Sequence, residues 1–154
     1  MFIGRKSELS ALERLYKSDK FEFAVIYGRR RVGKTALINK FIDDKRAIYF
    51  ITCNGIMMYK NIRIEENYIV RNILDSSVSI MEYVSGTEID SIFSSFQSAL
   101  EYVFRLAEKE RIVLAIDEYP YVARSSKSLA STLQLLIDKY KDKSKLMLIL
   151  CGSS

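Results

Sequence analysis

The sequence predicts an α/β domain with a mostly parallel sheet. Two observations carry that expectation. Segments of helical period alternate with short apolar runs, and those runs are apolar at consecutive positions rather than at every second one. A strand apolar on both faces has to be covered on both, which is the condition of a parallel sheet held between helical layers. At 154 residues, 49% of them hydrophobic and 28% charged, the chain has the size and composition of one globular domain. No internal repeat, low-complexity tract or linker divides it.

The elements read in order as follows. Leu9, Leu12, Leu15 and Tyr16 recur at helical spacing and predict a helix over about 7–17. "FEFAVIY" (21–27) is a β-rich run closed by a glycine, as a buried strand would be. Ala36, Leu37, Ile38 and Phe41 predict a helix from Lys34 to Phe41, and "AIYFIT" (47–52) a second strand. Residues 53–87 show no clean period and are expected to be irregular with one short helix. Helical spacing returns from Glu88 through Ile89, Ile92, Phe93, Phe96, Ala99, Leu100 and Val103, ending near Glu110. "RIVLAIDEYP" (111–120) reads as a continuous apolar strand that stops in two carboxylates and the single proline, Pro120. Leu129, Leu133, Leu136, Ile137 and Tyr140 predict a helix over 128–141, and "KLMLILCGSS" (145–154) is the last strand.

Several function classes fall away on composition. The chain has no histidine, and Cys53 and Cys151 lack metal-ligand or disulfide-framework spacing. That argues against zinc and histidine-based catalysis and for a reducing, cytoplasmic setting. No apolar run approaches the roughly 20 residues of a membrane helix, and "MFIGRKSEL" is not a secretory signal. The net charge of +5 is uneven: residues 1–77 hold 15 Lys/Arg against 9 Asp/Glu, and residues 78–154 hold 9 against 10. A basic half suits a nucleic acid or a phosphate-bearing small ligand.

The basic half contains "GRRRVGKT" (28–35), which matches G-x-x-x-x-G-K-[ST] between a predicted strand and a predicted helix. Each position has a physical reason. Gly28 and Gly33 allow positive φ and present no Cβ, so successive backbone N–H groups can turn inward as an anion nest. The loop opens a helix, whose free N–H groups and dipole favour negative charge at the same point. Lys34 reaches β- and γ-phosphates as a point charge, and Thr35 places a hydroxyl for Mg²⁺. The candidate nucleotide-binding set is Gly28, Arg29, Arg30, Arg31, Val32, Gly33, Lys34, Thr35 and Ala36. The three arginines form a solvated basic loop in the plainer reading, or reach a phosphate or a neighbouring subunit in the sharper one.

A phosphate-bound Mg²⁺ also needs a carboxylate at the tip of a neighbouring strand, and hydrolysis needs a group that orients water. "IVLAIDE", about 80 residues downstream, supplies both in order. Asp117 would hold Mg²⁺, mostly through water, and Glu118 would polarise the attacking water. Pro120 would merely stop the strand.

These motifs together resemble the archaeal-type ATPases of the AAA+/STAND group of P-loop proteins. "FIGRKSEL" (2–9) looks like the F-x-G-R-x-x-E-L box that opens such domains near the adenine. "VIYGRRRVGKTALINKF" and "VLAIDEYPYV" look like their Walker A and Walker B motifs, and "LQLLIDKYKDKSKLMLILCGSS" like their helix and sensor strand. Only about 55–87 falls outside the likeness. The resemblance implies a three-layer P-loop NTPase core with sheet order 5-1-4-3-2, incomplete at its C-terminal end because lid and C-terminal domain are absent from 1–154. It implies ATP and Mg²⁺ as cofactors, Ser153 (or Ser154) as the sensor of the γ-phosphate or lytic water, and Thr52 or Asn54 as a switch restraining Glu118. Adenine is favoured over guanine, since no N-K-x-D follows a later strand.

With the fifth strand missing, the first strand is expected at an open edge. That predicts either a piece of a longer protein or a homo-oligomer that covers the edge. The leading expectation is an ATP-hydrolysing conformational switch, catalysed by Glu118, Lys34 and Ser153, with no arginine finger assigned. The alternatives are a nucleotide-bound, non-catalytic module contacting nucleic acid, and a small-molecule or nucleotide kinase, for which no acceptor-site signature is present.

Overall fold

The computed structural model describes residues 6–28, 33–53, 56–62, 97, 100–117, 119–120 and 127–153. Helix α1 (Lys6–Lys17) leads into β1 (Glu22–Gly28), α2 (Lys34–Ile42), β2 (Ala47–Cys53) and β3 (Ile56–Ile62). Helix α3 is described over 100–106 and is followed by β4 (Ile112–Ile116), α4 (Lys127–Tyr140) and β5 (Leu146–Ser153). The strands form one sheet in the order β1-β5-β4-β2-β3. Adjacent pairs among β1, β5, β4 and β2 are parallel, and β3 runs antiparallel to β2.

The strands are buried on both sides, as their consecutive apolar residues require. Ile112, Leu114 and Ile116 of β4 join Leu146, Leu148 and Leu150 of β5 in a core with Leu100, Val103 and Phe104 of α3 and Leu129, Leu133, Leu136 and Tyr140 of α4. The alternate residues Val113, Ala115, Met147 and Ile149 meet Leu12 of α1 and Leu37, Ile38, Phe41 and Ile42 of α2 on the other face. This is the expected three-layer arrangement.

The first strand is the sheet's edge, as the resemblance implied. Its Ala24 and Ile26 pack toward α1 and α2. On the opposite face Phe23, Val25 and Tyr27 are 44%, 55% and 62% exposed, so among the described residues no layer covers that side of the strand.

Two expectations are corrected. Residues 56–62 are not irregular but form β3, a hairpin partner of β2 with Cys53 opposite Ile56. The dipeptide between those partners in sequence is Asn54-Gly55, a strong short-range hairpin signal, whereas "IMMYKNI" alternates poorly. The strand drawn over 111–120 ends at Ile116, and residues 119–120 are helical. Pro120 therefore does not stop β4. Its ring lies on β5 instead, where a Cβ added to Gly152 would sit 2.6 Å from both Cγ and Cδ.

Two polar devices hold α1 at the base of the sheet. The Arg111 guanidinium, just ahead of β4, donates to the carbonyls of Leu15 and Lys145 at 2.7 Å each and to that of Lys20. Burial lowers its pKa from the usual arginine value, with Asp19 acting in the opposite direction. Lys45, 5% exposed, donates to Glu13 at 2.7 Å and to the carbonyl of Phe41 at 2.8 Å.

Candidate functional site

The site lies at the C-terminal ends of the parallel strands, where β1 gives way to α2. Of the two glycines expected at positive φ, only Gly33 has it, with φ 84°. Gly28 continues β1 and is paired with Ser153 of β5. Gly33 caps α2 with no side-chain hydrogen bond, and its carbonyl accepts from the N–H of Leu37 at 2.9 Å. An L-residue would be strained there, which explains the glycine before the lysine.

Lys34 and Thr35 are the first residues of α2, with Ala36 beside them. Lys34 is 6% exposed, and its ammonium donates to the Gly28 carbonyl at 3.2 Å, so it bridges the end of β1 to the start of α2. Arg29, Arg30, Arg31 and Val32 lie outside the described residues.

Asp117 follows β4 directly. Its N–H donates to the Phe50 carbonyl at 2.8 Å, extending the β2–β4 ladder by one rung. Because strand side chains alternate, Asp117 shares the face of Ala115 and Val113, which is the face covered by α2. Its carboxylate, on a residue 6% exposed, therefore meets the start of that helix. The Thr35 hydroxyl donates to Asp117 Oδ2 at 3.0 Å, across 82 residues of sequence.

A third group converges on the same oxygen. Tyr49 of β2 stands opposite Ala115, and its hydroxyl donates to Asp117 Oδ2 at 2.5 Å. Burial pushes the Tyr49 phenol well above its ordinary range, and the hydrogen bond to Asp117 pushes it further in the same direction. The phenol thus stays a neutral donor. Sequence reasoning missed Tyr49, because a tyrosine within an apolar strand reads as core until the β2–β4 register is known.

The remaining expected residues are not brought together in the same detail. Glu118, Asn54 and Ser154 lie outside the described residues. Thr52 is on β2, and Ser153 ends β5 as the partner of Gly28, which places its backbone beside the start of the loop. An apolar hollow of about 280 Å³ lies nearby, lined by Val25, Tyr27, Tyr119, Pro120, Leu150, Cys151 and Gly152. Lys34, Thr35 and Asp117 do not line it, so it is separate from the polar cluster.

Thr35 and Asp117 offer hard oxygen donors suited to Mg²⁺. Among the described residues no group of three or more acidic, cysteine or histidine side chains could hold a metal by itself. A carboxylate with a hydroxyl fits a cation that arrives with phosphate ligands. No helix among the described residues is long and apolar enough to cross a membrane.

The chain is similar to known proteins in sequence and in fold. The chain is 30% identical over 156 aligned residues to an uncharacterized protein of Methanocaldococcus jannaschii, covering 100% of this chain and 30% of that protein. It is 52% identical over 46 residues to an uncharacterized ATP-binding protein of the same organism, covering 30% of this chain and 78% of that one. Among solved structures, the Walker-type ATPase paby2304 of Pyrococcus abyssi matches with a TM-score of 0.52 at 18% identity, over 98% of this chain and 45% of that one. A chain in the structure of Drosophila ORC bound to DNA matches with a TM-score of 0.53 at 17% identity, over 97% of this chain and 37% of that one. At such identities the two structures share the fold, and this chain spans less than half of either. The model of the ATPase domain predominantly from Archaea matches residues 2–154. By that match over nearly its whole length, the chain belongs to this archaeal ATPase family.

Proposed function

We propose that residues 1–154 form a nucleotide-binding core that holds ATP with Mg²⁺ and hydrolyses it to drive a conformational change. The observation that carries this reading is the 3.0 Å hydrogen bond between Thr35 and Asp117 at the start of α2. It puts a hydroxyl and a buried carboxylate where the helix N-terminus and the Lys34 ammonium already favour an anion.

Each residue has a definite task in this proposal. The backbone N–H groups at Gly33, Lys34 and Thr35 face the phosphates. Lys34 exchanges its contact with the Gly28 carbonyl for phosphate oxygens, which removes an internal hydrogen bond and supplies a stronger charge-assisted one. Thr35 and Asp117 would hold Mg²⁺, which when bound would supply positive charge to offset that developing on the phosphate oxygens. Glu118 orients the attacking water, and Ser153 senses the γ-phosphate from the rung beside Gly28. Arg29, Arg30 and Arg31 raise the local positive potential.

The test is calorimetric titration of Mg·ATP, with phosphate release followed at several protein concentrations. Lys34→Ala should weaken binding about tenfold or more, in line with the ~1.5–3 kcal/mol of a hydrogen bond to a charged group. Glu118→Gln should abolish release while leaving binding intact. Absence of any affinity for adenine nucleotides in the parent protein would overturn the proposal. Specific activity that rises with protein concentration would reveal a site shared with a second copy of the chain.

A second reading, a nucleotide-bound module on nucleic acid, is favoured by the basic excess in residues 1–77. The matched Drosophila complex was solved on DNA, which adds to it. It requires salt-sensitive nucleic-acid binding that survives Lys34→Ala.

A further inference from the structure

The polar cluster contains one group that the family motifs do not include. The Tyr49 hydroxyl and the Thr35 hydroxyl reach the same carboxylate oxygen, Asp117 Oδ2, from different elements: β2 across the sheet and the first turn of α2. The two donors are not equivalent. Thr35 is on an exposed residue at the mouth of the site, and in the proposed function its oxygen is also given to Mg²⁺. Tyr49 is 1% exposed, and its ring sits in the core with Leu37, Ile38, Phe41, Ala115 and Ile149. A buried ring in a packed core has one orientation open to it, so its hydroxyl is a fixed point rather than a mobile ligand.

We propose that Tyr49 is a positioning residue for the cation-bearing carboxylate: its hydroxyl, fixed by the core beneath α2, holds Asp117 in the one orientation that receives nucleotide-bound Mg²⁺. The inference rests on the nucleotide reading above. The physical ground is preorganisation. A carboxylate held by a donor that does not leave when the cation arrives loses little freedom on binding. One held by Thr35 alone has to be reordered as Thr35 turns to the metal. Groups that orient a metal's ligands typically change metal affinity by about 10–100-fold when removed. Tyr49 acts through Asp117 and touches neither nucleotide nor cation in this scheme.

The test removes only the oxygen, with Tyr49→Phe, and measures ATP affinity by calorimetry in EDTA and over a series of Mg²⁺ concentrations. The expected result is an unchanged affinity in EDTA and a loss of about tenfold or more in the gain that Mg²⁺ confers. A merely structural role would weaken binding equally with and without Mg²⁺ and would overturn the proposal. So would a parent-like Mg²⁺ gain. Asp117→Asn, alone and combined with Tyr49→Phe, closes the cycle: in the asparagine background the second change should leave the Mg²⁺ gain where it was, because the two residues act as one unit. Additive losses would overturn it. If the parent binds no adenine nucleotide at all, the nucleotide reading fails and this inference with it, whereas a parent-like Tyr49→Phe variant sinks this inference alone.

Discussion

Pro120 lies against Gly152 so closely that no side chain fits between them. The Cγ and Cδ atoms of the proline ring are each 2.6 Å from the position a Cβ would take on residue 152. The segment that follows Asp117 is thereby seated on the strand next to β1, two residues beyond Glu118.

Gly152→Ala should push that segment away. A proline ring is not the loose end of a flexible chain, so the strain is not relieved locally, and overpacking of this kind costs about 1–3 kcal/mol. Urea denaturation should report that loss. Phosphate release should fall further than nucleotide affinity, since the shifted segment adjoins the proposed water-orienting Glu118. Parent-like stability in the alanine variant would show that the ring yields more easily than its packing implies.

Thr35→Ser and Thr35→Val should separate. Serine keeps the hydroxyl that meets Asp117, and valine keeps only the shape. The serine variant should bind Mg·ATP within a few-fold of the parent. The valine variant should lose about tenfold or more of the Mg²⁺-dependent affinity, on the ~1.5–3 kcal/mol scale of a charge-assisted hydrogen bond. Titrations with and without Mg²⁺ distinguish the two.

Lys45 should matter most below alkaline pH. Burial works against its charge, but the hydrogen bonds to Glu13 and Asp44 outweigh it and raise the pKa above the ordinary lysine value of 10.5. The ammonium also lies 4.3 Å and 5.0 Å from the ring centroids of Phe41 and Tyr16. A group whose pKa is higher folded than unfolded stabilises fully below the unfolded value and ceases to do so as pH rises through the folded one. Lys45→Met should therefore lower stability at pH 8 by about 1–3 kcal/mol, a figure kept modest because Glu13 and Asp44 regain water when left alone. The gap between variant and parent should narrow above pH 10.5. Paired denaturation curves at pH 8 and at alkaline pH check the sign.

Arg111→Lys should fail as a conservative change. One guanidinium serves carbonyls from α1, from the link before β1 and from the link before β5, and an ammonium cannot reproduce that planar fork. A loss of about 1–3 kcal/mol is expected, on the scale of one or two partly buried carbonyls left without their charged donor. Thermal unfolding that coincides with the parent's would show that solvent replaces those bonds.

The sheet core was legible because its apolar runs are short, continuous and bounded, and β1, β2, β4 and β5 fall close to where those runs lie. The edge position of β1 followed from the family resemblance rather than from any local pattern. β3 was hidden because Lys60 and Asn61 interrupt its apolar residues, although Asn54-Gly55 announced the hairpin. At the site, Lys34, Thr35 and Asp117 were readable from spacing, since the loop chemistry is local and the acid lies at a strand tip. Tyr49, Lys45 and Arg111 were not. Their importance comes from non-local pairing: Tyr49 meets Asp117 only when β2 lies beside β4 with Phe50 opposite Ile116. No window of sequence displays that register.

Tyr49 belongs at once to the apolar interior and to the polar cluster: its ring rests among the side chains that fasten α2 to the sheet, and its oxygen touches Asp117. Trimming a neighbour such as Leu37 would open a void that lets the ring tip, and the carboxylate would lose its brace without a single polar atom having been altered. Side chains with no polar atom to offer would in this way tune the acid, and a survey of variants confined to the conspicuous motif would miss them.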